Sequence, residues 1–158
     1  MENIIYATAE GKKKLEVKLA DLIAQRAGIA AQIKVAREFG DLKENAEYAA
    51  AREAQNNLEI AIDEIEAMLP RLKVFSYSKA DTSAVNIGTR VKLENIANKQ
   101  TLEYVITGVL ESDISKGYLS NESPVGSALL GKRAKEEVEI KVPAGKLKYK
   151  ILKISSGS

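Results

Sequence analysis

The sequence predicts an α+β protein of two domains: an N-terminal antiparallel coiled-coil hairpin of two long α-helices, and a C-terminal domain with a small antiparallel sheet and one short helix. The hairpin is predicted because apolar residues recur at heptad spacing over most of residues 8–72. The second domain is predicted because apolar and polar residues alternate from about residue 89 onwards. We expect the hairpin at 1–75, a polar linker at 76–83 and the globular domain at 84–158.

The first arm is predicted to begin after Thr8, a good N-cap residue, and to end near Gly40, which suits the C′ position. The second arm should stop or kink at Pro70. In each arm the heptad positions form one face, which we call the seam, along which the two helices would pack. The first seam contains Leu15, Leu19, Leu22, Arg26, Ile29, Ile33 and Ala36. The second contains Tyr48, Ala51, Gln55, Leu58, Ile62, Ile65, Leu69 and Leu72.

Each seam has one long polar member. If the chain reverses near Gly40, Arg26 faces Gln55, and this agreement favours an intramolecular antiparallel hairpin. The alternative is that Arg26 extends along the helix to solvent.

The second half of the chain shows four segments with the period of a β-strand. They are residues 89–94, 102–106, 138–142 and 147–151. One short helix is predicted between the second and third strands, with Ser123 as N-cap, Pro124 as first residue and Gly131 at C′. A small sheet with one helix indicates an α+β domain.

The composition excludes several kinds of chemistry. The chain has neither Cys nor His, so disulfides, thiolate or histidine metal sites and His-dependent triads are excluded. The N-terminus lacks the pattern of a secretory signal and no apolar run is long enough for a membrane span, so we expect a cytoplasmic protein without a membrane partner. Residues 1–75 hold 11 basic and 13 acidic residues, and the rest hold 13 and 9, so the basic excess lies in the second half.

Residues 40–48, between the two arms, are the candidate functional segment. Asp41 with Glu44 three residues later is the pattern of a helix N-cap and capping box, and this structural interpretation is strong on local pattern alone. The same spacing places both carboxylates on one helix face, where they could bind one cation. Because Mg²⁺ prefers six oxygen ligands, two carboxylates should hold it weakly unless a partner supplies the others.

Residues 36–48, followed by Ala51 and Gln55, resemble the tip of the bacterial Gre transcript-cleavage factors, of the GreA rather than the GreB type. The similarity covers nearly the whole chain. It includes Thr8, Gly11 and Leu15 in the first arm, and residues 121–124 and 128–132 in the second domain. One departure is Lys135-Glu136, where many relatives have Gly-Asp, and it should alter a turn.

The resemblance implies an FKBP-like second domain that docks on RNA polymerase at the rim of the secondary channel, while the hairpin enters the channel. It implies that Asp41 and Glu44 hold Mg²⁺ jointly with the polymerase, without tight binding to the free protein. The polymerase would then cleave the 3′ end of backtracked RNA. Arg37 and Arg52 would contact this RNA. The protein would stimulate the polymerase, would not be an enzyme itself, and is expected to be a monomer.

Other interpretations stay open. A Gre-like paralogue could inhibit by occupying the channel, and a peptidyl-prolyl isomerase or chaperone could carry a coiled-coil arm, although few aromatic residues are available for a proline pocket. A coiled-coil adaptor could use the capping box only structurally. Arg37 and Arg52 could be ordinary solvated charges, Tyr48 could be a core residue or stack on an RNA base, and Lys43 could simply be exposed.

Overall fold

The computed structural model describes residues 3–39 and 45–158. The chain divides into two compact units. One is the helical unit, Lys12–Arg71, and the other is the globular unit, formed by the chain up to Gly11 together with Leu72–Ser158.

The helical unit consists of α1 (Ala9–Arg37) and α2 (Ala46–Met68), followed by a 3₁₀ turn at Leu69–Arg71. The predicted seams are confirmed. From Lys12 onwards, every buried or half-buried residue of α1 is a predicted seam member, and Arg26 is the one seam member that is exposed. The second seam is buried or half-buried throughout. Pro70 lies in the 3₁₀ turn directly after α2, so the helix ends where the ring removes a backbone donor.

The partner of Arg26 differs from the prediction. Its guanidinium donates two hydrogen bonds, of 2.9 and 2.8 Å, to the carboxylate of Glu59, one helical turn beyond Gln55. Gln55 instead accepts a hydrogen bond of 3.1 Å from Arg52. A carboxylate can accept hydrogen bonds from both donors of the guanidinium and carries the opposite charge, whereas the amide of Gln55 is neutral. The long side chain of Arg26 allows the guanidinium to reach Glu59 at the solvent-exposed side of the helix pair.

The globular unit is built on a five-stranded sheet in the order β5-β4-β3-β7-β6. Its strands are β3 (Thr89–Asn95), β4 (Thr101–Thr107), β5 (Tyr118–Ser120), β6 (Glu137–Val142) and β7 (Gly145–Ser156). The four predicted strands are confirmed as β3, β4, β6 and β7. The unpredicted β5 pairs parallel to β4, so the sheet is mixed, whereas its other neighbours are antiparallel.

The short helix α3 (Pro124–Leu129) begins as predicted. The hydroxyl of Ser123 accepts a hydrogen bond of 3.0 Å from the backbone N–H of Gly126, which is the bond expected of an N-cap. Gly131 follows the helix with a φ of 82°, in the left-handed region that glycine adopts readily. The predicted α+β class is therefore confirmed.

The core of the globular unit is almost entirely aliphatic, as a chain without Trp requires. It is formed by Val85, Val91, Leu93, Ile106, Leu119, Leu129, Val138, Ile140, Tyr149 and Ile151. Burying these side chains contributes about 1.5–3 kcal/mol for each large aliphatic residue.

A second, two-stranded sheet pairs β1 (Ile5–Ala7) parallel with β2 (Leu72–Val74). This pairing places the chain up to Gly11 in the globular unit, which differs from the predicted division at residue 75. Strands of three residues are too short to show a period, so the sequence pattern does not indicate this pairing.

The predicted linker 76–83 packs on the globular unit. Tyr77 is half-buried, and its ring lies edge-on to Phe75 at 5.1 Å between centroids and tilted against Tyr118 at 6.1 Å. Its serines and charged residues gave the segment the composition of a linker, but one aromatic side chain is enough to anchor it.

Lys135 has a φ of 73°, in the left-handed region, and its backbone N–H donates a hydrogen bond of 2.7 Å to the carbonyl of Ile151. The departure noted at Lys135-Glu136 therefore falls on a backbone position that favours glycine. No helix among the described residues has the length and apolarity needed to cross a membrane.

Candidate functional site

The predicted metal-binding residues Asp41 and Glu44 lie outside the described residues, as do Gly40 and Lys43. The structure describes both flanks of this segment, up to Phe39 and from Asn45. Within the described ranges, no group of three or more acidic, His or Cys side chains could hold a metal ion. The metal-binding role of Asp41 and Glu44 therefore stays a prediction.

The side chain of Asn45 links the end of α1 to the start of α2 by hydrogen bonds. Its side-chain oxygen accepts a hydrogen bond of 3.0 Å from the backbone N–H of Tyr48, and its side-chain nitrogen donates one of 2.5 Å to the carbonyl of Ala36. The first bond satisfies a free donor of the first turn of α2, and the second joins the end of α1 to the start of α2. The two helix ends are thus joined on either side of residues 40–44.

Asn45 is the N-cap of α2, so the prediction that Asp41 caps this helix is wrong. Both residue types are good N-caps, and the local pattern favoured Asp41 because Glu44 completes a capping box. The structure favours Asn45 because an amide has a donor as well as an acceptor, and the donor binds Ala36. The sequence signal was present, since Asn45 directly precedes the first turn of α2.

Arg37 and Arg52, the predicted RNA-contacting residues, are both exposed and flank Tyr48. The guanidinium carbon of Arg37 lies 6.0 Å from the centre of the Tyr48 ring. Arg52 follows Tyr48 by four residues and therefore lies on the same face of α2, one turn further along. The structure brings the two cations to one face, which we call the basic face and define by Arg37, Tyr48 and Arg52.

The charges of the basic face are not neutralised within the described chain. Arg37 interacts with an aromatic ring and Arg52 donates to the neutral amide of Gln55, and no described carboxylate forms an ion pair with either. Cations without an anionic partner attract phosphate groups more strongly than cations in ion pairs. Tyr48 is half-buried in the seam, which agrees with a packing role.

The comparisons agree with this architecture. Residues 5–74 match the family described as "Transcription elongation factor, N-terminal", and residues 80–156 match "Transcription elongation factor, GreA/GreB, C-term". The transcription elongation factor GreA of Clostridioides difficile is 45% identical over 148 residues, which cover 93% of each chain. That of Amoebophilus asiaticus is 41% identical over 156 residues, covering 98% of this chain and 99% of the relative.

Solved structures similar to this chain include GreA factor homolog 1 of Thermus thermophilus, at 21% identity with a TM-score of 0.44, covering 98% of this chain and 100% of that one. A GreA/GreB factor of Nitrosomonas europaea has 19% identity and a TM-score of 0.43, covering 98% and 99%.

A coiled-coil hairpin joined to an α+β domain, with both regions matched, defines the class of transcription elongation factors. The chain belongs to the GreA/GreB family and is of the GreA type. Membership of this family implies interaction with RNA polymerase.

Proposed function

We propose that this protein stimulates the Mg²⁺-dependent cleavage of backtracked RNA 3′ ends by RNA polymerase, and that it is not an enzyme by itself. The globular unit docks at the rim of the secondary channel and the end of the hairpin enters the channel. The observation that carries the proposal is the hydrogen bond from Asn45 to Ala36. This bond joins the end of α1 to the start of α2, the two described flanks of the segment that contains Asp41 and Glu44.

Asp41 and Glu44 are the residues proposed to hold Mg²⁺. Their donor set fits this ion, because carboxylate oxygens are the ligands that Mg²⁺ prefers, and it is incomplete, because the ion takes six ligands. The polymerase must therefore supply the remaining ligands. When bound, the ion would lower the pKa of a water molecule and stabilise negative charge on the phosphate. The part of this chain would be to supply the two carboxylates of Asp41 and Glu44 as ligands for the ion.

The basic face is proposed to hold the RNA. Arg37 and Arg52 are exposed, on one face, and free of anionic partners among the described residues. Contact with backbone phosphates would position the RNA beside the tip and would weaken as salt is raised.

The test is transcript shortening in stalled, backtracked polymerase complexes. The wild type should shorten the RNA, and the isosteric variant Asp41→Asn/Glu44→Gln should lower the rate by about 100-fold or more, because losing even an outer-shell partner of a metal ligand typically lowers metal affinity or activity about 10–100-fold. The matched control is Glu38→Gln, which removes an exposed acid of the same hairpin and should leave the rate unchanged. Competition with labelled wild type would verify that each variant still binds the polymerase.

Two results would contradict the proposal. Equal shortening by the wild type and the double variant would remove Asp41 and Glu44 from the mechanism. Inhibition of elongation without any shortening would instead identify a factor that only occupies the channel.

The role of the basic face has its own test. Arg52→Gln should lower the cleavage rate and make it less dependent on salt, because one phosphate contact is lost. Lys18→Gln is the control, since Lys18 is an exposed cation near the other end of the same hairpin. An Arg52→Gln variant with the wild-type rate and salt dependence would show that the basic face is only solvated charge.

A further inference from the structure

Strands β3, β7 and β6, which lie side by side in the five-stranded sheet, carry a row of lysines on the face that points away from the core. Along these strands buried residues such as Leu93, Ile140 and Ile151 alternate with charged residues. Because successive side chains of a strand point to opposite faces, the charged residues lie on the other face. We call this surface the lysine face, and its lysines are Lys92, Lys141, Lys146, Lys148, Lys150 and Lys153.

An irregularity in the pairing of β3 with β7 brings Lys153 onto the lysine face. Lys153 follows Lys150 by three residues, so in a regular strand the two side chains would point to opposite faces. The register shifts between Lys92 and Leu93, which leaves Lys153 directly opposite Lys92. A bulge of this kind can redirect a side chain. The row therefore continues past the irregularity, and from Lys146 to Lys153 it is about 23 Å long at roughly 3.3 Å per residue.

Two pairs of lysines stand directly opposite each other across neighbouring strands. They are Lys92 with Lys153, and Lys141 with Lys146. Like charges in directly opposite positions destabilise a sheet. Lysines on an edge strand protect it from pairing with other chains, which explains Lys141 on β6, but β3 and β7 are inner strands. The fold itself therefore gives no reason for Lys92 beside Lys153, whereas a bound anion removes their repulsion.

The acids of the same face neutralise only part of its charge. They are Glu94, Glu103, Glu137 and Glu139. The ammonium of Lys146 lies 3.4 Å from the carboxylate of Glu139. Glu94 is 3.9 Å from Lys99, which lies outside the lysine face. No other lysine of the face forms an ion pair with a residue that the structure describes. Five of the six lysines are therefore available to an anionic ligand.

The chemistry of the lysine face fits the phosphate backbone of a nucleic-acid duplex. Lysines two residues apart on one strand are about 6.6 Å apart, close to the roughly 6.8 Å that separates every second phosphate of one DNA strand along the helix axis. Proteins that bind single strands stack the bases on aromatic side chains. The three strands contain one aromatic residue, Tyr149, and it is buried in the core. The face therefore offers charge to phosphates and no ring to unstacked bases.

We propose that the globular unit binds double-stranded DNA through the lysine face, by contacts to phosphates that do not depend on the base sequence. This contact is separate from the proposed cleavage function, because neither the hairpin nor Mg²⁺ takes part in it. Each phosphate contact releases condensed counterions, so the affinity falls as salt is raised. The bound phosphates also lie against Lys92 and Lys153 and remove the repulsion between them.

The first measurement is the fluorescence anisotropy of a labelled DNA duplex of about 20 base pairs, longer than the row of lysines, titrated with the full chain at several salt concentrations. Lys92→Gln/Lys153→Gln should weaken binding about 10-fold or more at ~0.1 M salt. It should also reduce the slope of log affinity against log salt by about 2, since two phosphate contacts are lost. The matched control is Lys79→Gln/Lys116→Gln, which removes two exposed lysines of the same unit outside the sheet and should change neither quantity.

The second measurement is the unfolding temperature. Lys153→Gln should raise it at low salt, because the repulsion from Lys92 is removed, and the difference should vanish in concentrated salt. Saturating duplex DNA should raise the unfolding temperature of the wild type more than that of Lys92→Gln/Lys153→Gln. A lower unfolding temperature for Lys153→Gln would instead make this lysine a structural residue and would overturn the proposal.

Three binding results would also overturn it. One is a wild type that does not bind the duplex at low salt, and another is a Lys92→Gln/Lys153→Gln variant that binds as tightly as its control. The third is tighter binding to a single-stranded RNA of the same length, which would assign the face to RNA. Duplex affinity that is lost in Arg37→Gln/Arg52→Gln and retained in Lys92→Gln/Lys153→Gln would place the contact on the basic face of the hairpin.

Discussion

The backbone carbonyl of Tyr6 occupies the space in which a side chain on Gly108 would begin. Tyr6 is in the middle of β1 and Gly108 directly follows β4, so this close approach seats the two-stranded sheet on the five-stranded sheet. No side chain fits between the two backbones.

The first prediction concerns this approach. Gly108→Ala should lower the free energy of unfolding of the globular unit by about 1–3 kcal/mol, because the methyl group meets backbone atoms that cannot move aside alone. Chemical denaturation followed by circular dichroism would measure the change. Gly28→Ala is the control and should raise stability, since its surroundings are open. A Gly108→Ala variant as stable as the wild type would show that β1 is not held against β4.

The second prediction concerns the left-handed residue Lys135. Lys135→Gly should raise the free energy of unfolding by about 1 kcal/mol, because a side chain in the left-handed region costs roughly 1–2 kcal/mol, and part of the gain is lost to the greater freedom of the unfolded chain. The neighbouring Glu136→Gly should lower stability, since the backbone of Glu136 has no positive φ to relieve. Denaturation midpoints of the two variants should move in opposite directions, and a shift of both in the same direction would refute the argument.

The third prediction separates the two roles of Asn45. Asn45→Asp keeps the acceptor for the N–H of Tyr48 and loses the donor to Ala36, whereas Asn45→Ala loses both. Asn45→Ala should therefore destabilise the hairpin more, with a difference of about 1 kcal/mol for the cap. Thermal unfolding measures the difference. If both variants unfold at the same temperature, the cap contributes nothing.

The fourth prediction concerns the ion pair of Arg26 with Glu59. The guanidinium holds the pKa of the Glu59 carboxyl below its ordinary value, first through the hydrogen bond and then through its charge. The ion pair therefore contributes to the free energy of unfolding above the ordinary pKa of Glu, and this contribution is lost as the pH falls through the lowered pKa of Glu59. A double-mutant cycle of Arg26→Gln and Glu59→Gln should show a small favourable coupling at neutral pH that disappears in concentrated salt. Coupling that persists in salt would contradict a solvent-exposed pair.

The fifth prediction concerns Tyr77. Burial, assisted by the negative charge of Glu111, raises the pKa of Tyr77 to about 12. The folded state therefore favours the neutral phenol, and this contribution to stability is complete below pH ~10 and is lost as the pH rises towards ~12. The ultraviolet absorbance of tyrosinate should show a titration step near the raised pKa that Tyr77→Phe lacks and Tyr48→Phe retains. An identical titration curve for Tyr77→Phe and the wild type would refute the assignment.

The sequence predicted the long helices, four strands and α3 because each carries a repeated pattern or a local cap. It did not predict β1, β2 or β5, whose three residues show no period and whose pairing is set by tertiary contacts. The backbone N–H of Thr8 donates a hydrogen bond to the carboxylate of Glu111, 103 positions away in the sequence, and no local pattern indicates this contact.

The candidate site, like the fold, was predicted only in part from the sequence. Arg37 and Arg52 were named from the resemblance, and the structure adds that both are exposed and that Arg37 lies beside the Tyr48 ring. Their contact with RNA stays a prediction. The choice of Asn45 over Asp41 as N-cap depends on a bond to the other helix, which local rules do not include. The metal-binding role of Asp41 and Glu44 stays a prediction from the sequence.

The parallel pairing of β1 with β2 has a consequence for the order of folding. Ile5 lies beside Leu72, so closing this sheet joins two segments separated by the entire hairpin. The entropy lost on closing a loop grows with its length, and pairing of distant strands is intrinsically slow. Once α1 and α2 have packed, the loop that remains to be closed is short. The hairpin is therefore expected to form first and to bring β1 and β2 close enough to pair.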